Sequence, residues 1–178
     1  MILSATGHRM DKLGGNSIAA QNHVTNFALL MLRTLREETP IEYVISGTAP
    51  GWDYAIMVAA KTLKIPFIAA VPFRLQYHGY PKELQSNYHA LLAEAQRIEQ
   101  MPIGISSSRE QMNKLRSKWM VDNSDEILAL YDNYSRGAAW SCIEYARKVN
   151  RRIRNVWKHW LDFQVTSGDE KGESLSCP

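Results

Sequence analysis

Cysteine is nearly absent from this sequence: Cys142 and Cys177 are the only two in 178 residues, and they lie far apart. They offer neither zinc-site spacing nor a redox CxxC pair, and a reduced, intracellular setting is the simpler inference. Long hydrophobic runs are missing too, so nothing reaches the length needed to cross a bilayer. Met1-Ile2-Leu3-Ser4-Ala5 carries neither the charged region nor the long apolar core of a signal peptide. A cytoplasmic protein with no membrane partner is expected.

An excess of one charge is also lacking. Lys and Arg number 21 against 18 Asp and Glu, for a net charge of +3. That balance makes no strong electrostatic case for nucleic acid, which is not expected as a partner. The five histidines are scattered and the aspartates share no ligand motif, so no metal and no cofactor are expected. No GxSxG elbow, no full GxGxxG and no GxxxxGK[ST] occurs, which argues against ordinary dehydrogenase or kinase chemistry.

What is present is a strand–helix alternation. Met1 to Thr6, Ile41 to Ile45, Ile65 to Val71 and Asp125 to Tyr131 read as strands, and Gln96 to Met101 as a weak one. Helices are expected over Ser17 to Glu37, Tyr54 to Leu63, Lys82 to Ala95, Arg109 to Val121 and Ala138 to Asn150, with a polar loop over Gly104 to Ser108. Ile153 to Trp160 is read as a sixth strand. Alternation of this kind implies an α/β fold, a parallel sheet of about five or six strands with helices on both faces. Residues 1–160 are read as a single domain and 161–178 as a disordered tail, because little apolar remains beyond Thr166.

The chain is organised around Ser46-Gly47-Thr48-Ala49-Pro50-Gly51-Trp52-Asp53, where a strand gives way to a helix. Unpaired N–H groups at a helix start and the helix dipole favour an anion, and glycine allows close approach. The stretch reads either as a phosphate cradle or as a turn shaped by Gly and Pro. A second candidate cradle runs from Asp132 through Ser135, Arg136 and Gly137 to Ala138. Gly7-His8-Arg9 closes the first strand, with Arg9 suited to a phosphate or carboxylate and His8 to a hydrogen bond. In a parallel sheet all three loops gather at one edge, where ligands bind near the topological switch point. Pro72-Phe73-Arg74 and Tyr77-His78-Gly79-Tyr80 offer aromatic and basic groups that either stack on a base and meet its phosphates or pack against the fold. Arg116 and Asn123 share a helix face with Trp119 that either reaches the edge or packs. Asp53 either complements its helix dipole or contacts a ribose or acts in catalysis, and Glu144 is the other candidate acid.

Gly7-His8-Arg9, Ser46-Gly47-x-x-x-Gly51-x-Asp53, Ile68 through Pro72-Phe73, Arg116-x-x-Trp119 through Asp125 and Leu130-Tyr131-Asp132 to Gly137 together resemble the SLOG superfamily, in particular its YpsA-like branch. The resemblance covers roughly the first 150 residues. It implies a Rossmann-like domain that binds nucleotides or nucleotide-derived ligands, often as a homo-oligomer. Relatives among the cytokinin-activating LOG enzymes cleave an N-glycosidic bond and carry a PGGxGTxxE signature. This chain departs from that signature: Ala138-Ala139-Trp140-Ser141 follows Gly137, the Thr is missing, Ser141 stands where the Glu would be, and Glu144 comes three residues later. The resemblance thus implies a sensor or sequestering protein for an ADP-ribose-like or cyclic nucleotide species. The alternative is an N-glycosidic hydrolase using Asp53 or Glu144. Single-stranded nucleic-acid binding would require a continuous basic groove.

Overall fold

Six short runs form the strands β1 (Ile2–Gly7), β2 (Tyr43–Ser46), β3 (Phe67–Val71), β4 (Arg97–Gln100), β5 (Glu126–Leu130) and β6 (Arg152–Asn155). Between and after them lie α1 (Ile18–Glu38), α2 (Trp52–Thr62), α3 (Lys82–Ala93), α4 (Arg109–Asp122), α5 (Ala138–Lys148) and α6 (Trp157–Asp169). The structure is a computed structural model that describes residues 1–80, 82–102 and 108–169. Residues 104–107 of the expected polar loop and 170–178 of the expected tail lie outside the described residues.

The sheet is parallel throughout, in the order β4-β3-β2-β1-β5-β6. The chain builds outward from β1 to β4, then returns to place β5 and β6 on the far side of β1. The reversal puts the switch point between β1 and β5. Alternate strand residues feed opposite faces, as a two-residue period requires. Leu3, Ala5, Val44, Phe67, Ala69, Leu128 and Leu130 join the core beneath α1, α2 and α6. Ile45, Ile68 and Ala70 meet Met120 of α4, while Ile127 meets Cys142 and Ala146 of α5. Helices therefore cover both faces, and this is a Rossmann-like single domain.

Local chemistry sets the helix starts. The Ser17 hydroxyl accepts the Ala20 N–H at 3.1 Å to cap α1, and Ser108 and Gln111 form a reciprocal capping box on α4. The expected strand over 153–160 needs correction, since β6 ends at Asn155 and α6 begins at Trp157. The Asn155 side chain is the cause. Its Oδ1 accepts N–H groups from Tyr131 and Trp157, both at 3.2 Å, ending the ladder and opening a helix. Trp160 and Phe163, three apart, then both reach the Phe27 ring of α1, with centroids 5.3 Å away in each case. Helical spacing suits that contact. The tail boundary drawn at 161 falls inside α6 for the same reason.

Candidate functional site

The loops after β1 and β5 meet at the switch point. His8 continues the ladder, its N–H donating to the Leu130 carbonyl at 3.0 Å. The ring is buried between Tyr131 and Trp157, with centroids 5.4 and 5.3 Å away. The Asp132 N–H donates to His8 Nε2 at 3.0 Å, so that nitrogen is an acceptor and the imidazole is neutral. Burial lowers the His8 pKa against the pull of Asp132. The 3.3 Å approach of Nε2 to the Asp132 carboxylate is accordingly packing rather than an ion pair. Asp132 is occupied by its own loop: Oδ1 accepts N–H groups of Tyr134 and Ser135 at 2.9 Å, and Oδ2 accepts the Ser135 hydroxyl at 2.6 Å. Burial opposes the charge, yet these donors hold the Asp132 carboxyl well below the usual carboxylate range.

The loop after β2 is closed rather than open. The Gly51 N–H donates to Gln21 Oε1 at 3.0 Å, the Trp52 N–H to the His8 carbonyl at 3.2 Å and the Tyr54 N–H to the Ala49 carbonyl at 2.9 Å. The start of α2 thus has few N–H groups left for an anion, and of the two readings of Ser46 to Asp53 these hydrogen bonds favour the turn shaped by Gly and Pro. Its glycines answer to packing. Gly51 has φ +101°, and a Cβ there would stand 2.5 Å from the His8 carbonyl oxygen. A Cβ on Gly47 would overlap the Arg116 guanidinium and the Asp53 carboxylate. Ser46 and Thr48 are wholly buried within this junction, the Ser46 hydroxyl donating to the Asp53 carbonyl at 2.8 Å.

Arg116 and Asp53 form the floor. The guanidinium donates to the Gly47 carbonyl and stands 3.8 Å from Asp53 Oδ2. Burial pushes the Asp53 carboxyl up to about 6, although Arg116, Arg9 and the N–H groups of Ala49 and Gly7 favour its charged form. This shift has a consequence for stability. Between the unfolded pKa near 4 and the folded value near 6, the folded state holds the extra proton, so stability falls as pH rises through that window. A loss on the order of 2 kcal/mol between pH 4 and pH 7 is expected from this group. Urea titrations at several pH values should show the slope diminished in Asp53→Asn; an unchanged slope would refute the assignment.

Above this floor the start of α5 faces a cavity of about 290 Å³ whose lining includes Arg9, Asp53, Arg116, Arg136, Gly137 and Ala138. Among the described residues, no side chain caps α5, and nothing lies within 4 Å of where a Cβ on Gly137 would be. Arg9 is exposed and has no ion pair among the described residues. Arg136 stacks on the Trp140 ring at 4.3 Å. A second cavity of about 210 Å³ shares Arg9, Ala49 and Arg116 with the first, and a third of about 500 Å³ shares Arg136, Gly137, Ala138 and Trp140.

The YpsA family model, described as the YspA SLOG family, matches residues 3–164. The chain belongs to this family. UPF0398 proteins of Bacillus thuringiensis strain Al Hakam and Bacillus cereus strain AH820 are 25% and 26% identical to it over 173 residues, covering 91% of this chain and 90% of theirs. Among solved structures, DNA processing protein A (DprA) from Helicobacter pylori is similar with a TM-score of 0.58 and 16% identity, over 86% of this chain and 63% of that one. DprA from Streptococcus pneumoniae gives 0.54 and 16%, over 85% and 48%. This YpsA-family chain thus spans about half the length of the Streptococcus protein.

The DprA likeness corrects one expectation. The Helicobacter structure is described as showing a single-stranded DNA binding mode, so the shared fold is compatible with nucleic acid and a near-neutral total charge is no ground for dismissing it. Location is narrowed less: among the described residues, no helix is long and apolar enough to cross a membrane. The same residues contain no group of three or more His, Cys, Asp or Glu placed to hold a metal.

Within this family member the candidate residues separate. Gly7, His8, Arg9, Asp53, Arg116, Ser135, Arg136, Gly137 and Ala138 all border the first cavity, and Phe73 borders the second. Asn123 does not reach it. It is exposed at the far end of α4, two residues before Asp125, whose N–H bonds the Ile2 carbonyl at the start of β1. Glu144 is exposed on α5 and bonded to Arg147 at 2.8 Å, away from the cavity lining. Two contributors escaped the sequence reading. Gln21 holds Gly51 from α1, where a lone buried amide gives no local signal. Trp140 carries Arg136 and was passed over as a departure from a motif.

Proposed function

We propose that this protein binds a nucleotide or nucleotide-derived small molecule, of the ADP-ribose-like or cyclic nucleotide kind, as a sensor or sequestering protein. Its phosphate is held at the opening of α5. The observation that carries this reading is that opening: uncapped N–H groups and a glycine with open space face a cavity bordered by Arg9, Arg116 and Arg136. Helix-start N–H groups and guanidinium forks are the donors that phosphate oxygens require. Family membership supports a nucleotide-related ligand.

A second reading is favoured by one observation. Asp53 is a buried carboxyl bordering the same cavity, with its pKa raised to about 6, the range suited to a general acid or base. On that reading the protein is an N-glycosidic hydrolase with Asp53 as its acid, Glu144 being too remote to serve. The test is incubation with AMP, NAD, ADP-ribose, cyclic nucleotides and a single-stranded DNA oligonucleotide. Thermal shift reports binding and chromatography reports whether each compound returns intact. A stabilising nucleotide recovered unchanged, with the shift lost in Arg9→Ala, supports the binder. Release of a free base that ceases in Asp53→Asn supports the hydrolase. Stabilisation by the oligonucleotide alone would overturn both.

A further inference from the structure

The cavity at the α5 opening is small. At about 290 Å³ it lies just under the roughly 300–1,000 Å³ usual for small-molecule sites. The adjoining 210 Å³ cavity shares Arg9, Ala49 and Arg116 with it as common walls. Its remaining walls differ in kind. Phe73 and Tyr80 present aromatic rings, Arg109 lies over the Phe73 ring at 5.6 Å, and among the described residues no carboxylate lines the space. The loop that carries these rings is tied to the β2 loop: the Tyr80 hydroxyl donates to the Thr48 carbonyl at 3.1 Å and the Gln76 amide to the Gly47 carbonyl at 3.3 Å.

Arg116 stands where the two cavities join. Its side chain is 7% exposed, one terminal nitrogen is engaged by the Gly47 carbonyl, and Nε has no hydrogen-bond partner among the described residues. A buried, unpaired guanidinium N–H is costly unless something completes it. An oxygen from a ligand passing between the cavities would do so.

We infer that the two cavities are lobes of one site and that the aromatic lobe takes the heterocyclic base of the nucleotide, its sugar–phosphate arm crossing Arg116. The inference rests on the reading that phosphate sits at the α5 opening. A flat base is the group that the second lobe fits, because aromatic rings and guanidinium planes both stack on a π-system. A cation is disfavoured there by Arg9, Arg109 and Arg116. The 500 Å³ cavity beyond Gly137 is the competing place for a base. Its Trp140 ring is covered by Arg136 as Phe73 is by Arg109, but its wall includes the Glu110 carboxylate, which repels an anionic nucleotide.

Calorimetric titration of the full chain with ribose 5-phosphate and with AMP tests this directly, since the two probes differ by the base. AMP should bind more tightly, by roughly five-fold to a hundred-fold, the range of one base–aromatic stack. Phe73→Ala should remove that increment and leave ribose 5-phosphate binding unchanged, which also shows that the variant is folded. Arg109→Ala, at an exposed position, should reduce the increment in the same way. Equal affinities for the two probes would overturn the inference while leaving the phosphate reading intact. So would an increment that survives both variants but disappears in Trp140→Ala. Failure of both probes to bind would remove the phosphate reading and the inference with it.

Discussion

Arg116→Met is expected to destabilise the protein by about 3–5 kcal/mol at pH 8 and by markedly less at pH 4. The substitution preserves most of the apolar stem but withdraws the cation from a carboxylate that is 6% exposed. Asp53 must then remain charged in a poor environment or take up a proton. The folded pKa, already about 6, rises further, while the unfolded value stays near 4. The electrostatic cost is absent while the wild-type carboxyl is itself protonated and builds as pH climbs past its folded pKa of about 6, so it is greatest in alkaline solution. The double variant Asp53→Asn/Arg116→Met should lose the pH dependence and recover part of the stability. Equal losses at pH 4 and pH 8 would mean that Arg116 matters through its Gly47 contact alone. Chemical denaturation of the three proteins at the two pH values decides the matter.

The convergence of the loops was legible because it follows from topology. Parallel strands joined by crossovers must place Gly7-His8-Arg9 and Asp132 to Ala138 at one edge, whatever their side chains do. The purpose of each glycine was not legible. Gly47 and Gly51 sit in a pattern that reads as a phosphate cradle, yet Arg116 lies over the first and the His8 carbonyl against the second. Those partners are 69 and 43 residues away in sequence (116 less 47, and 51 less 8). Arg116 and Asn123 were grouped by helical spacing, which reports a shared face but not depth along the axis. Since α4 descends from the carboxyl edge, Arg116 meets Asp53 and Asn123 is carried to the opposite edge.

Charge was misread for a related reason. A total of +3 hides an uneven distribution. Glu38 and Glu126 pair with Arg154, and Glu94 with Lys61, away from the cavities. Arg9, Arg109, Arg116 and Arg136 gather on the cavity edge, where among the described residues only Asp11 and Asp53 contribute carboxylates to the first cavity. Local potential, rather than net charge, governs what anion such an edge attracts.

Gly137→Asp should separate binding from stability more sharply than any change in the β2 loop. Gly47→Asp would drive a side chain into Arg116 and Asp53, so loss of binding there would be inseparable from damage to the floor. At Gly137 nothing among the described residues lies within 4 Å of the position a Cβ would take. An aspartate at this N-cap can accept the first-turn N–H groups of α5 and complement the helix dipole, a gain of a few tenths of a kcal/mol over glycine. The same carboxylate occupies the donors intended for phosphate and repels its charge. Loss of one or two charge-assisted hydrogen bonds corresponds to a weakening on the order of 100-fold in nucleotide affinity. The expected result is therefore a variant that melts no lower than the wild type yet no longer gains stability from the nucleotide that stabilises it. Retained affinity in a folded Gly137→Asp protein would place the phosphate elsewhere along the edge and remove the central support for the α5 cradle.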